Sequence, residues 1–534
     1  MEKRFILALI ISFAILFLWN SLFPMPKKMT QKYSQNIENN EDKQIFPNSS
    51  IGNTAPPPTS LPIVKTNEKM VVLESKNLIL KFLNIGGTLN SVEIKGFNAK
   101  LPLANILNLN SFKDYEFNLV TEDHNRVIYV YEDKSLKISK SYTLSKDSYD
   151  INAEILVENK ENMSKVINLD FNAITLDMSN LNKNNEFKER HAIDKTAFEY
   201  VIYSPAGYIR KNNANTFSTK EDKSLSGKVD WIGFRNKYFC LIVKPRYESS
   251  GYSLMASGAE KMNFGILSKG ITIGGGGSAS FAFTIFAGPE KYDILKKYNM
   301  GFENIKMFYR FGLFDVTAKI MYRMLHVIHR FLPNWGLAII IISIMIYGAM
   351  YPLTRISMSS MKKMQLVQPK IAELREKYKN NPQRLNKEMV ELYKQEGVNP
   401  FGGCLPFLLQ LPIFIGIYQV LWRDVSLKGA DFLWIKDLTE PDRLIIFPFT
   451  IPFVGNEFNI LPLVYGALMF FQQKLSMKST VAVDPSQAEM QKMMANIMPI
   501  MLAVVFYKFA SGLTLYFTIY FSLTTLTQWK MSKI

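Results

Sequence analysis

The chain has 534 residues, of which 48% are hydrophobic and 13% aromatic, and its formal net charge is +17. It is long enough for several domains. A basic excess is typical of proteins that bind nucleic acid or anionic lipid, or that keep basic loops inside a membrane, and the apolar runs below favour the last two. Two cysteines, Cys240 and Cys404, provide no disulfide framework, and four histidines lack the spacing of a metal site.

The N-terminus has the pattern of a membrane anchor followed by a tether. Residues 5–23 are almost entirely apolar after a basic start, and no small-residue cleavage site follows them. This favours an uncleaved signal anchor at 1–24, with its N-terminus inside, over a cleaved signal peptide. Residues 25–68 are rich in Asn, Lys, Gln, Ser and Pro, which predicts a disordered tether.

Residues 69–300 change to strand patterns punctuated by Gly and Asn. Runs with period two predict an all-β sandwich, and they cover 78–83, 88–95, 127–131, 136–144, 149–157, 231–244 and 278–287. The glycine run 274–277 lacks the lysine and the following helix of a phosphate loop, so it predicts a turn. No acid/base or nucleophile constellation stands out, which favours a passive folded domain over a partner-binding edge.

Residues 301–333 contain a basic amphipathic helix, predicted at 311–331. One face carries charged or titratable residues at steps of three and four: Asp315, Lys319, Arg323, His326 and Arg330. Such a helix lies flat at a membrane interface. The pair His326 and His329 suggests metal ligands only weakly, because two ligands do not make a site.

Two uncharged runs of 19 residues, 335–353 and 404–422, are long enough to cross a hydrocarbon core of about 30 Å. Between them, 355–398 holds ten Lys/Arg against five Glu. Asn381 before Pro382 is a helix start, and two apolar sets have helical spacing, which predicts a helical hairpin at 356–398 on the inner side. Its expected contacts with the ribosome or anionic lipid are Lys362, Lys363, Lys370, Arg375 and Lys377.

The remaining segments complete a prediction of six spans with both termini inside and 24–310 outside. Residues 424–459 carry three Lys/Arg against six acids, as expected outside. The apolar run 444–454 is short and contains two prolines, so we expect it at the interface. Residues 460–471 form a short fourth span, and 493–507 and 513–528 form a final pair.

The stretch 334–422 resembles the YidC family of membrane protein insertases. The residues that carry the resemblance are Asn334-Trp335-Gly336, Met350-Tyr351-Pro352-Leu353-Thr354, Gln368-Pro369-Lys370, Asn399-Pro400 with Gly402-Gly403-Cys404-Leu405-Pro406, and Gln410-Leu411-Pro412-Ile413-Phe414. Ile85-Gly86-Gly87, 230–239 and Gly288-Pro289 resemble the family's periplasmic β-sandwich. The resemblance implies a polytopic bacterial inner-membrane protein with a five-helix insertase core at 334–534.

The same resemblance implies what the protein does and with whom. It would insert nascent membrane proteins and act as their chaperone, alone or with the Sec translocon. Its partners would be nascent membrane proteins, the Sec translocon, ribosomes and anionic lipids. It would not be an enzyme, and neither a cofactor nor a small-molecule substrate is expected.

The predicted spans contain neutral polar residues but no Asp, Glu, Lys, Arg or His away from their ends. In hydrocarbon such polar groups need partners or water. They serve either as helix–helix contacts or as the lining of one hydrated groove, and the resemblance favours the groove for the set. The candidate groove residues are Ser343, Tyr347, Tyr351, Gln410, Tyr418, Gln472, Thr518 and Ser522.

Tyr347 departs from the family pattern, in which an arginine at this place is thought to attract acidic client tails. A tyrosine offers one hydroxyl and an aromatic face, and it is neutral at pH 7. We therefore expect a groove that works by hydration and hydrogen bonding, with weaker selection by charge. The alternative is that Tyr347 only packs.

Other function classes fit less well. An ion-coupled transporter or a channel would need an ionisable residue within the membrane or internal repeats, and the sequence shows neither. A membrane enzyme lacks its usual motifs. A membrane-anchored assembly factor that acts through the β-domain remains open.

Overall fold

The computed structural model describes residues 68–97, 99–167, 169–177, 199–205, 207–212, 223–257, 261–268, 270–306, 308, 312–379, 381–398, 405–451, 455–478 and 485–533. The predicted anchor at 1–24, residues 25–67 of the predicted tether, and the motif residues 399–404 with Cys404 lie outside this description. The described residues belong to one compact unit, Thr66–Ile534.

The described part of 70–289 is built from antiparallel strands. Their bounds are β1 Met70–Glu74, β2 Leu78–Leu83, β3 Thr88–Ile94, β4 Ala99–Lys100, β5 Leu103–Ala104, β6 Asn108–Leu109, β7 Asn118–Asp123, β8 Arg126–Glu132, β9 Leu136–Leu144, β10 Asp150–Asn159, β11 Lys165–Ile167, β12 Asp170–Asp177, β13 Glu199–Ser204, β14 Gly207–Asn212, β15 Lys223–Ser226, β16 Trp231–Arg235, β17 Phe239–Pro245, β18 Ser249–Ser257, β19 Lys261–Ser268, β20 Ile271–Ile273 and β21 Ser278–Pro289. The all-β prediction for this domain is confirmed.

Among the described residues, these strands form a nine-stranded sheet in the order β14-β13-β16-β17-β21-β10-β9-β8-β7, a second sheet in the order β15-β18-β19-β12-β5 with β6 beside β12, and a four-stranded sheet β1-β2-β3-β4. Side chains from all three share one apolar core, including Leu80, Tyr142, Phe171 and Phe264. In β9 every second side chain from Leu136 onward is buried. This alternation of buried and more exposed residues explains why a period of two in the sequence identified the strand.

The predicted run 231–244 is two strands rather than one. The side chain of Asn236 accepts hydrogen bonds from the backbone nitrogens of Tyr238 and Phe239 at 2.9 and 2.7 Å. This Asn-centred turn folds β17 back on β16. The glycine run 274–277 forms the predicted turn, closed by a 2.9 Å bond from the nitrogen of Gly277 to the oxygen of Gly274.

The second half of the chain is helical. The helix bounds are α1 Tyr292–Lys297, α2 Gly312–Phe331, α3 Trp335–Lys377, α4 Pro382–Gln395, α5 Leu405–Arg423, α6 Leu461–Lys478, α7 Pro485–Phe506 and α8 Ser511–Lys533. Between α5 and α6 lies a β-hairpin of β22 Ile445–Ile451 and β23 Gly455–Phe458, in the stretch expected at the membrane interface.

The hairpin predicted at 356–398 differs from expectation in its first arm. That arm continues the preceding apolar run without a break, so the two form the single 43-residue helix α3. The second arm is α4, where the Asn381 side chain accepts a bond from the nitrogen of Arg384 at 3.1 Å, as a helix cap. Val367, Ile371 and Val398 form a small core between the arms.

Within the described residues, one helix is long and apolar enough to cross a membrane, the stretch Trp335–Met364 of α3, and Ala495–Phe506 is a shorter apolar helix. The helices share a second apolar core, which includes Ile342, Ile417, Tyr465 and Tyr516. In it α2 packs mainly on α5, and α8 packs on α3 and α6.

Helix α2 turns part of its predicted charged face toward the protein. Asp315 is buried, where it accepts a bond from the nitrogen of Phe308 at 2.8 Å and pairs with Lys319 at 2.7 Å. The exposed side chains of α2 instead include large apolar ones, Leu313, Val316, Ile320, Val327 and Phe331. An apolar outer face of this kind is suited to lipid.

Candidate functional site

Three helices of the apolar core bring polar side chains together. The hydroxyls of Tyr347 on α3 and Thr527 on α8 are hydrogen-bonded. The Tyr520 hydroxyl on α8 donates to the Gln410 side-chain oxygen on α5 at 2.8 Å. The rings of Tyr347 and Tyr520 meet edge to face, with centroids 5.8 Å apart at 78°. Tyr347, Gln410, Tyr520 and Thr527 are called the polar cluster below.

The ends of α3 and α8 are fixed at the same side of the helical core. The side chain of Asn334 caps α3 by accepting a bond from the nitrogen of Leu337 at 3.0 Å. Ser511, the first residue of α8, donates from its nitrogen to the backbone oxygen of Glu440 at 2.7 Å and from its hydroxyl to the backbone oxygen of Asp437 at 3.1 Å. Both helices therefore start from defined points, which sets the register of Tyr347 against Thr527.

Several predicted groove residues satisfy their hydroxyls within their own helices. Ser343 donates to the oxygen of Ile339 at 2.6 Å, Thr518 to Thr514 at 2.8 Å and Ser522 to Thr518 at 2.6 Å. Such bonds to the carbonyl four residues earlier remove the need for water or a partner helix. These three hydroxyls therefore already have hydrogen-bond partners within α3 and α8.

The remaining predicted groove residues take different positions. Tyr351 is 41% exposed, and its ring lies 6.2 Å from that of Tyr347, beside the polar cluster. Tyr418 stacks on Trp422 further along α5. Gln472 on α6 has a buried side-chain oxygen with no hydrogen-bond partner among the described residues. Of the eight candidates, the structure joins Tyr347 and Gln410 and places Tyr351 next to them.

Sequence reasoning missed Tyr520 and Thr527. They lie seven residues apart, two helical turns, so a search for polar faces on α8 could have found them. The more numerous threonines and serines of the same helix obscure this face in the sequence.

The polar cluster contains no acidic or basic side chain. Arg355, the next arginine along α3, is exposed and lies eight residues after Tyr347, about 12 Å along the helix. The cluster can therefore donate and accept hydrogen bonds, but it places no formal charge beside Gln410.

The basic residues of the hairpin lie mostly on its surface. Lys362, Lys363, Lys370 and Lys377 are exposed, and Arg375 is half-buried. Lys370 pairs with Glu396 at 2.5 Å across the two arms. Most of this positive charge is therefore open to solvent.

Comparisons with known proteins identify relatives over the whole chain. One family model, described as 60Kd inner membrane protein, matches residues 327–534, and another, the YidC periplasmic domain, matches 108–324. Membrane protein insertase YidC of Pelobacter propionicus is 30% identical, with 100% of this chain and 99% of the relative covered. That of Syntrophus aciditrophicus is 29% identical, with 97% and 96% covered.

Solved structures are also similar. A crystal structure of an active YidC insertase with its first transmembrane domain resolved covers 86% of this chain and 92% of its own, at 16% identity and a TM-score of 0.37. A galactose mutarotase-like protein from Lactobacillus casei covers 41% of this chain and 100% of its own, at 9% identity and a TM-score of 0.32.

Proposed function

Because this chain belongs to the YidC family of membrane protein insertases, we propose that it inserts nascent integral membrane proteins into the bacterial inner membrane and helps them fold, alone or with the Sec translocon. It is not an enzyme. The structural observation that carries the proposal is the polar cluster, a hydrogen-bonding site that joins α3, α5 and α8 beside the apolar core of the helices.

The favourable free energy of insertion comes from partition of the client's apolar helix into lipid. Insertion scales give about −0.3 to −0.6 kcal/mol for each central Leu, Ile, Phe or Val, so a span of such residues needs no nucleotide. The costly step is the passage of the client's polar flank. The hydroxyls and amide of the polar cluster lower that cost by exchanging hydrogen bonds with the flank and with water.

The proposed topology has six spans, with both termini in the cytoplasm and the β-domain in the periplasm. The proposed domains are a signal anchor at 1–24, a tether at 25–68, the β-domain at 69–300, an interfacial helix at 301–333 and the insertase core at 334–534. The charge bias of the loops supports this orientation. The apolar β22–β23 hairpin, exposed at Ile446 and Phe449, lies at the outer membrane–water interface.

The hairpin of α3 and α4 is the proposed contact for ribosomes and anionic lipids. Its exposed lysines suit phosphate groups, whether these belong to RNA or to lipid headgroups.

Reconstitution tests the function directly. The purified full-length protein in liposomes is expected to insert a client with one or two spans, made in a cell-free system, into a state resistant to alkaline extraction. Liposomes without the protein are the control. Equal insertion into both kinds of liposome would contradict the proposal.

A further inference from the structure

A chain of buried charged groups connects the β-domain to the outer ends of α2 and α5. Arg423, the last residue of α5, donates to Glu199 of β13 at 2.8 Å. Arg235 of β16 lies 3.6 Å from Glu199 and 2.9 Å from Glu290. This network is called the joint, and its members are Glu199, Arg235, Glu290, Lys306, His326, Arg423 and Asp424.

The linker between the β-domain and α2 is tied into the same network. Arg235 donates to the backbone oxygen of Ile305 at 2.6 Å, and Lys306 donates to the backbone oxygen of Glu290 at 3.0 Å. The Lys306 ammonium also lies 3.8 Å from the centre of the Tyr322 ring on α2. The β-domain, the linker and α2 therefore share contacts at one place.

Three consecutive residues, the last of α5 and the two that follow it, contact two different parts of the protein. Arg423 pairs with the β-domain, and Asp424 accepts a hydrogen bond from His326 of α2 at 2.7 Å. Val425 packs in the apolar core of the β-domain. One turn of chain thus ties the outer end of α5 to both the β-domain and α2.

The six buried members of the joint comprise equal numbers of positive and negative groups. Among its members, three cations (Arg235, Lys306 and Arg423) face three carboxylates (Glu199, Glu290 and Asp424), and all six are buried. A fourth buried cation, Lys237, lies over the rings of Tyr238 and Trp422 beside them. A buried charge that loses its partner is strongly unfavourable, so the balance favours a single arrangement of the parts.

Burial and charge pairing act in opposite directions on the pKa values of three groups in the joint. Burial raises the pKa of Glu290, although Arg235 and Lys306 oppose the change. Burial lowers the pKa of Lys306, opposed by Asp424 and Glu290. For Asp424 burial acts to raise the pKa, but the hydrogen bond from His326 and the charge of Lys306 outweigh it and the pKa is lowered.

Helix α5 connects the joint to the polar cluster. Gln410 lies 13 residues before Arg423, about 20 Å along the helix. Near its middle α5 packs closely on α2, since a Cβ at Gly416 would lie 3.1 Å from the backbone nitrogen of Ala318. The joint therefore fixes the outer part of α5 directly and Gln410 through the length of the helix, in which Pro412 removes one backbone hydrogen bond.

We propose that Glu199 and Arg423 are positioning residues, through which the β-domain holds α5 and sets the Gln410 side of the polar cluster against α3 and α8. In this proposal α5, with α2 packed on it, forms one side of the groove, and α3 with α8 packed on it forms the other. The insertion readout below rests on the proposed function, whereas the distance readout does not.

The test uses full-length protein with the single substitutions Glu199→Gln and Arg423→Gln, the double substitution, and Arg423→Lys. Glu248→Gln is the control, because its pair with Lys228 is exposed. Spin labels at Lys297 on α1 and Lys508 before α8, in a Cys404→Ser background, report the distance between the β-domain and the second side of the groove. Client insertion into liposomes is measured for the same variants.

Each single neutral substitution is expected to broaden the label distances and to remove most insertion, because it leaves an unbalanced buried charge. The double substitution, which restores the balance, and Arg423→Lys, which keeps the charge, are expected to recover both readouts relative to the single variants. The control should match the unmodified protein. Circular dichroism and elution volume identify any variant that fails to fold. If a single variant fails to fold, the label distances and insertion of the double variant still test the proposal.

Unchanged distances in both single variants would overturn the proposal. So would broadened distances with normal insertion, or a double variant impaired by the sum of the two single effects. If the unmodified protein inserts no client, the proposed function fails, while the distances still decide whether the joint holds the β-domain.

Discussion

At the scale of single residues, Tyr347 is the member of the polar cluster whose role can be tested most directly. Its side chain is 9% exposed and its hydroxyl is bonded to that of Thr527. We expect Tyr347→Phe to lower client insertion, because Thr527 loses a partner in an apolar core at a cost of about 1–3 kcal/mol. Insertion into liposomes measures this, and Ser343→Ala is the matched control, since Ser343 bonds within its own helix.

Tyr347→Arg tests the same position by charge. A cation beside Gln410 is expected to be tolerated and to favour clients with acidic translocated tails over clients with neutral ones. The ratio of insertion for two clients that differ only in tail charge measures the effect. A silent Tyr347→Phe together with an unchanged ratio for Tyr347→Arg would show that the residue only packs.

Lys140 provides a second prediction, which concerns how the stability of the β-domain depends on pH. It is fully buried in β9, and its ammonium donates to the backbone oxygens of Gly86 and Leu107 at 2.7 and 3.3 Å. Burial lowers its pKa from 10.5 to about 7. Between these values the unfolded chain binds the proton and the folded chain releases it, so the free energy of unfolding rises with pH, by at most about 1.4 kcal/mol per pH unit.

We therefore expect the β-domain of the unmodified protein to become more stable from pH 7 to pH 9 relative to a Lys140→Met variant. Thermal unfolding followed by the circular dichroism of the β-sheet measures the difference. Lys137→Met, on the same strand but partly exposed, should show no such relative gain. Parallel pH profiles for unmodified protein and Lys140→Met would contradict the account.

At the scale of elements, the hairpin of α3 and α4 carries its own prediction. Replacing its five basic candidates by glutamine should weaken ribosome binding to proteoliposomes and make the remaining binding less sensitive to salt, because each phosphate contact releases counterions. The residues are Lys362, Lys363, Lys370, Arg375 and Lys377. Co-sedimentation over a salt series measures the change.

The control for that experiment removes the same charge elsewhere. Five exposed lysines of the β-domain serve, namely Lys76, Lys100, Lys113, Lys134 and Lys146. If both sets reduce binding equally, the effect is one of net charge and the hairpin has no special role. Repeating insertion with and without anionic lipid separates a lipid contact from a ribosome contact.

At the scale of the whole molecule, the proposed topology predicts where a protease can cut. Added to the outer face of the inner membrane, it should cleave within 25–68 and spare the hairpin of α3 and α4. Fragments identified by mass spectrometry measure this. Opening the membrane should then expose the hairpin, and hairpin cleavage in sealed vesicles of the original orientation would reverse the assignment.

The sequence by itself determined the structural features that depend on residues close together along the chain. Period two located β2 and β9 to the residue, and the Asn381 cap located the start of α4. The family motifs, each a short run of adjacent residues, identified the insertase in the same way. Local patterns succeed here because strand alternation and helix capping are decided within a few residues.

Only the tertiary structure decided how distant segments meet. Tyr347 bonds Thr527 across 180 positions, and Glu199 meets Arg423 across 224. In the same way, periodicity grouped Asp315 and His326 on one polar face of α2 but could not show what they contact: Asp315 is buried against the backbone of Phe308, and His326 is bonded to the buried Asp424. A periodic pattern reports which side of an element is polar, but whether that side meets water or a buried partner depends on long-range packing that the pattern does not contain.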